Sequence, residues 1–175
     1  MNKKLYAFGV LAGAAALVAS TAAPASAAEG DTVATFALAG STLSITVQPT
    51  AALTDGASGV ASVTGDLGNV EVTDLRGGIV NWSANASSTA FTSTTGTTTS
   101  TSTGVSYAGG AMTTTGTITI MPGTATALSG TPAKVAGPTA VVGNNTAQWN
   151  PTLTVSLPSS ALTGTYTGTV NTSVS

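Results

Sequence analysis

The chain has 175 residues, of which only 6% are charged: four Lys or Arg, six Asp or Glu, no His and no Cys. The absence of His and Cys removes the commonest general base, the thiol nucleophile and the usual zinc ligands, and it excludes a disulfide frame. So few cations cannot neutralise a run of phosphates, which excludes nucleic acid as a partner and electrostatic attachment to anionic lipids or wall polymers.

Residues 1–27 read as an export signal peptide. Met1-Asn2-Lys3-Lys4 is a positive n-region, Leu5 to Ala19 is apolar, and Ala25-Ser26-Ala27 is a small-residue cleavage site. Cleavage there leaves 148 residues beginning at Ala28, with Arg76 and Lys134 against six acids, a net charge of −4. No later apolar run approaches the roughly 20 residues of a membrane span, so the expected mature product is secreted and extracellular, with no membrane attachment. A chain of that length can bury about two thirds of its unfolded surface, enough for one domain without disulfides.

From there the apolar residues alternate with period two. Segments 33–39 and 42–47 flank Gly40-Ser41 and predict a hairpin, with Leu43, Ile45 and Val47 on one face. Val60–Thr64 and Leu67–Thr73 flank Gly65-Asp66 in the same way, with Val70 and Val72 facing opposite to Glu71. Asp74 and Arg76 are two apart and share a face if the strand continues to the Gly77-Gly78 turn. Trp82, Ala84 and Ala86 begin a further alternation. Residues 93–104 are low-complexity Thr/Ser and suit a solvated loop, an edge strand or a site of O-linked sugar. Residues 121–148, rich in Pro and Gly, read as loops with short strands between them. Leu153, Val155 and Leu157 form another strand face, as do Tyr166, Val170 and Val174. Recurrent strands, turn residues between them and no helical period predict an all-β fold. The expected form is a single antiparallel β-sandwich of Greek-key or Ig-like type over residues 28–175.

Nothing in the chain assembles a reaction centre. No serine lies in a G-x-S-x-G elbow, no phosphate-cradling glycine loop occurs, and no acidic calcium loop is present. Asp66, Glu71 and Asp74 are close in sequence, but Glu71 and Asp74 point to opposite faces of an extended strand. The reading is therefore non-enzymatic, with no catalytic residue, cofactor or metal. Four N-x-[ST] triplets, at Asn81, Asn85, Asn144 and Asn171, arise readily in so Thr/Ser-rich a chain. Trp82 and Trp149 carry two readings: rings presented for stacking on a wall glycan, or core anchors in a chain with only eight aromatics. The core reading is favoured for both. Asp74, Arg76, Gly77 and Tyr166 read as residues of a structural corner.

Asp74-Leu75-Arg76-Gly77 ahead of Trp82-Ser83-Ala84, with Phe91 following, resembles the first motif of WxL-type cell-surface domains of Gram-positive bacteria. Ala161-Leu162-Thr163-Gly164-Thr165-Tyr166, leading into Val170, Thr172 and Val174, is similar to the closing segment of the same family. Ala84 stands where the family has Leu, and Thr172 stands where its second Trp would be. The resemblance spans roughly residues 60–175 and implies a cell-surface protein held non-covalently on peptidoglycan or another wall polymer. No L-P-x-T-G sorting motif points to covalent anchoring. The Gly-x-Tyr framework also resembles pilin-like and coat-like subunits that assemble through a strand shared between chains. Self-association through an edge strand, and a freely secreted domain, remain as alternatives.

Overall fold

The computed structural model describes residues 33–121 and 124–175; the expected signal peptide lies outside the described residues. Among the described residues there is no helix. The strands are β1 (Leu43–Thr46), β2 (Ser62–Asp66), β3 (Val70–Asp74), β4 (Ala84–Ser88), β5 (Thr92–Thr95), β6 (Thr98–Thr101) and β7 (Gly104–Ala108). They continue with β8 (Met112–Ile120), β9 (Thr126–Leu128), β10 (Ala133–Ala136), β11 (Pro138–Trp149), β12 (Thr152–Ser156) and β13 (Val170–Val174). Every pairing is antiparallel. The first sheet runs β1-β3-β11-β8, the second β2-β12-β7-β9 and the third β10-β4-β13, while β5 and β6 pair as a separate ribbon.

The architecture is sandwich-like. Val70 and Val72 of β3 and Ala147 and Trp149 of β11 supply one side of a common core. Val105, Tyr107, Leu153 and Val155 from the second sheet, and Ala84, Ala86, Val135 and Ala136 from the third, supply the other. The second and third sheets adjoin where the Ser88 N–H donates to the Ser129 carbonyl at 2.8 Å. Alternation is kept in β3 and β4, where Val70, Val72 and Asp74 are buried, and so are Trp82, Ala84, Ala86 and Ser88. It is not kept at Val47, predicted to share the face of Leu43 and Ile45, which lies past the end of β1 and is exposed.

The two predicted hairpins do not form. Residues 33–39 are exposed and pair with none of the described residues, and β1 pairs instead with β3, Ile45 opposite Val72. Gly65 and Asp66 lie inside β2, which pairs with β12 rather than with β3. The reason is topological: apart from β5 and β6, no two consecutive strands pair, because nearly every connection carries the chain from one sheet to another. The Leu67 N–H donates to the Pro151 carbonyl at 2.9 Å, tying the β2–β3 crossing to the β11–β12 crossing.

Two low-complexity readings also change. The Thr/Ser stretch is the ribbon β5–β6 closed at Gly96-Thr97, followed by the start of β7. Residues 121–148, expected to be mostly loop, contain the longest strand, β11. Its proline opens the strand, where a missing N–H costs little. Its glycine, Gly143, lies in a wide bulge where Gly143, Asn144 and Asn145 stand against Gly116 of β8 alone. Gly116 has φ +82°, and a Cβ there would collide with the Asn144 carbonyl oxygen. The two extra residues leave the alternation in phase, so that Val141, Asn145, Ala147 and Trp149 all face inward.

Candidate functional site

The acid, base and tryptophan of the 74–82 segment come together at one corner. β3 ends at Asp74, which is 2% exposed. Arg76 closes on it through Nε to Oδ1 at 2.9 Å and Nη2 to Oδ2 at 3.0 Å, and the Arg76 backbone N–H also donates to Oδ1 at 3.0 Å. Nη2 further donates to the Asn81 carbonyl at 3.3 Å, closing the loop that carries Gly77 and Gly78. Both glycines have positive φ, 68° and 72°, which is what lets the chain reverse within so few residues. The guanidinium hydrogen bonds hold the Asp74 carboxyl below its usual value against the opposing pull of burial, with a further contribution from Asn145. The same pairing raises the Arg76 guanidinium.

Trp82 follows this loop and is buried at 3% exposure. Its indole N–H donates to Asn145 Oδ1 at 3.2 Å, and Asn145 Nδ2 donates to the Gly143 carbonyl at 3.1 Å. Trp149 is buried at 2% exposure, and its indole N–H donates to the Tyr107 hydroxyl at 2.8 Å. Neither indole presents a face to solvent, which corrects the glycan-stacking reading of both. Each is a core anchor with its polar edge matched across the sandwich. Burial pushes the Tyr107 hydroxyl up to about 12, and the Trp149 N–H pulls the other way.

Tyr166 makes a second corner. Its hydroxyl bonds the Leu162 carbonyl at 2.9 Å and Ser100 Oγ at 2.7 Å, with the return to a backbone carbonyl four residues upstream that marks the tyrosine corner of Greek-key sandwiches. The bed beneath it is the Thr/Ser ribbon. Ser93 and Ser100 face each other across β5 and β6, and both are buried. Gly164 rests directly against Ser93 Oγ, an approach that leaves no room for a Cβ. Small hydroxyl residues at these positions are therefore structural.

Between this corner and residues 51–60 lies an open groove of about 540 Å³, within the range of small-ligand sites. Its lining mixes apolar side chains, among them Val63, Phe91, Val155 and Leu157, with Ala, Gly, Thr and Ser, and Asp55 is the one charged residue among the described residues that line it. The acids singled out in the sequence, Asp66, Glu71 and Asp74, do not line this groove and are already engaged. Asp66 Oδ1 accepts from Thr152 at 2.9 Å, and Glu71 Oε2 accepts from Gln148 at 2.9 Å. Glu71 and Asp74 lie on opposite faces of β3.

Sequence reasoning named Trp82, Trp149, Asp74, Arg76, Gly77 and Tyr166 and set Asp74 and Arg76 on one face, but it missed the partners of the two tryptophans. Asn145 was visible only as part of an Asn-Asn-Thr run, and Tyr107 sits in an unremarkable Val-Ser-Tyr-Ala strand. The loop 51–60, rich in Ala and Gly, gave no signal for a groove wall. Comparison with protein-family models, curated proteins and solved structures finds no match.

Proposed function

We propose that this chain is an exported, non-enzymatic β-sandwich of the Gram-positive cell surface that associates non-covalently with wall glycan through the groove beside the Tyr166 corner. The observation that carries the reading is the chemistry of that groove: apolar side chains beside Thr and Ser hydroxyls, with a single acid among the described residues that line it. Such a surface suits a neutral, hydroxyl- and amide-rich polymer better than an ionic ligand, because the binding energy must come from hydrogen bonds and apolar contact. The resemblance of the 74–84 and 161–174 segments to WxL-type domains points to the same wall. Tyr166 and its corner act by holding the groove wall rather than by touching sugar.

The test is co-sedimentation of the exported chain with purified peptidoglycan sacculi at low and high salt, beside Thr165→Trp, which places bulk at the groove from an exposed position. Salt-resistant sedimentation, weakened in a variant with an unchanged melting temperature, is the expected result. Protein left in the supernatant at both salt levels would overturn the wall reading. Sedimentation indifferent to Thr165→Trp would overturn the choice of groove.

A further inference from the structure

A stretch of the chain that reads as a strand has no partner among the described residues. In Val33-Ala34-Thr35-Phe36-Ala37-Leu38-Ala39, Ala34, Phe36 and Leu38 share one face of an extended chain. Yet Phe36 and Leu38 are each 91% exposed and Val33 is 87% exposed. The stretch contains no charge, no proline and no glycine. Three exposed large apolar side chains so closely spaced are costly in water unless something covers them.

The folded sandwich offers one edge of matching character. At β1, the free side faces β13 across the sandwich margin, and Ser41 is pinned to the Leu75 carbonyl at 3.3 Å, which prevents a tight hairpin at Gly40-Ser41. β2 already receives the loop before it through the Thr54 N–H to the Thr64 carbonyl at 2.9 Å. β9 abuts β10 and β4. β13 is held in the third sheet by β4, and beyond its end Ser83 and Ser175 exchange backbone hydrogen bonds at 2.8 and 3.0 Å. β8 differs. It is nine residues long, pairs only with β11, and has no charged residue to discourage pairing. Its inward residues Met112, Ile118 and Ile120 pack on the core but are only partly buried. A long, uncharged edge with half-covered isoleucines is a template for an added strand.

We propose that residues 33–39 of one copy add as a strand to the β8 edge of a second copy, so that exported chains join head to tail. Ala34, Phe36 and Leu38 then cover Ile118 and Ile120, while the backbone groups of β8 that face away from β11 gain partners. The donor is the segment preceding β1, and not the C-terminal strand, which is already paired within its own chain. Because donor and acceptor are different surfaces, the contact is heterologous and extends into chains. The groove beside Tyr166 takes no part, so sacculus binding and self-assembly stand or fall separately.

The experiment uses size-exclusion chromatography with light scattering on the exported chain over a range of concentrations. Its variants are Phe36→Asp, which spoils the donor, and Ile118→Lys, which points a charge inward at the acceptor edge. Circular dichroism melts check that both remain folded. If Ile118→Lys does not fold, Thr117→Pro on the exposed face of the same strand replaces it. The expected result is concentration-dependent multimers for the unaltered chain and monomers for either variant alone. An equimolar mixture of the two variants should give a heterodimer and nothing longer, since it retains one intact donor and one intact acceptor. An unaltered chain that stays monomeric at all concentrations would overturn the proposal. So would multimers that persist in Phe36→Asp, or a mixture that remains monomeric.

Discussion

Tyr107→Phe isolates one atom on which two sheets depend. The Tyr107 hydroxyl, on β7 of the second sheet, accepts the indole N–H of Trp149 on β11 of the first, and the two residues are 1% and 2% exposed. Phenylalanine keeps the ring and removes only the oxygen, so little packing is lost and a buried donor is left without an acceptor. That penalty is about 1–3 kcal/mol. For a domain of this size it corresponds to a melting temperature lower by roughly 2–12 °C.

The same substitution has a signature at high pH. An exposed tyrosine releases its proton near its ordinary value of 10, whereas Tyr107 holds its proton up to about 12. The folded state therefore keeps a proton that the unfolded state gives up. The associated stability is fully present below pH 10 and is lost as the pH rises through the folded value. Two units correspond to roughly 2–3 kcal/mol. Tyr107→Phe has no such term, so the gap between the two proteins should narrow as the pH climbs from 9 to 11. Urea unfolding followed by tryptophan fluorescence at several pH values measures both effects. A variant within about 0.5 kcal/mol of the unaltered protein at pH 7, a change typical of sites away from such features, would refute the pairing. A gap that stays constant with pH would refute the assignment of the raised hydroxyl to Tyr107.

Arg76→Ala should cost about 1.5–3 kcal/mol, the range for hydrogen bonds to a charged group, because it strips the buried Asp74 of its guanidinium partner. As the folded Asp74 value is depressed, its stabilisation is present above the ordinary carboxylate value of 3.8 and fades as the pH falls through the lower folded one; the variant's acid limb should be flatter, as seen by acid titration of the fluorescence. Gly116→Ala should destabilise by more than about 1–2 kcal/mol, since it combines a left-handed backbone with a collision against Asn144, and thermal melts would show it. Tyr166→Phe should cost about 1–2 kcal/mol by the same assay, and it should loosen the groove wall enough to weaken sacculus sedimentation.

How far the fold could be read depended on whether a signal was local. Period-two alternation is a property of a few consecutive residues, so the inward faces of β3, β4 and β12 were legible directly. Pairing was not. Gly40-Ser41 and Gly65-Asp66 look like turns between neighbours, but a chain that changes sheet at almost every connection gives adjacent segments different partners. The Thr/Ser ribbon was illegible for another reason. Ser93 and Ser100 are buried under the Tyr166 corner because the one fits against Gly164 and the other bonds the Tyr166 hydroxyl, and nothing in a run of Thr and Ser distinguishes those two from their exposed neighbours. Non-local pairing on this scale also implies slow folding, since large loops must close before contacts form.

The candidate corner was legible in its members but not in its logic, which lies in β11. A core assembled from Ala, Val and Leu with few aromatics has little shape to specify how sheets meet. This protein assigns that task to polar pairs across the sandwich: Trp82 to Asn145, and Trp149 to Tyr107. Both pairs end on β11, one reaching the third sheet and the other the second. A slip of one residue in β11 would turn Asn145 and Trp149 outward together. It would strand the Trp82 N–H in the core without its acceptor and leave a void in place of the Trp149 ring, penalties of about 1–3 kcal/mol for the donor and 3–5 kcal/mol for the ring. The bulge at Gly143 and Gly116 adds its two residues in phase, so both pairs survive it. The two tryptophans are thus better understood as register pins of a small-residue sandwich than as ligand contacts. Their substitution in a binding assay would report on folding first.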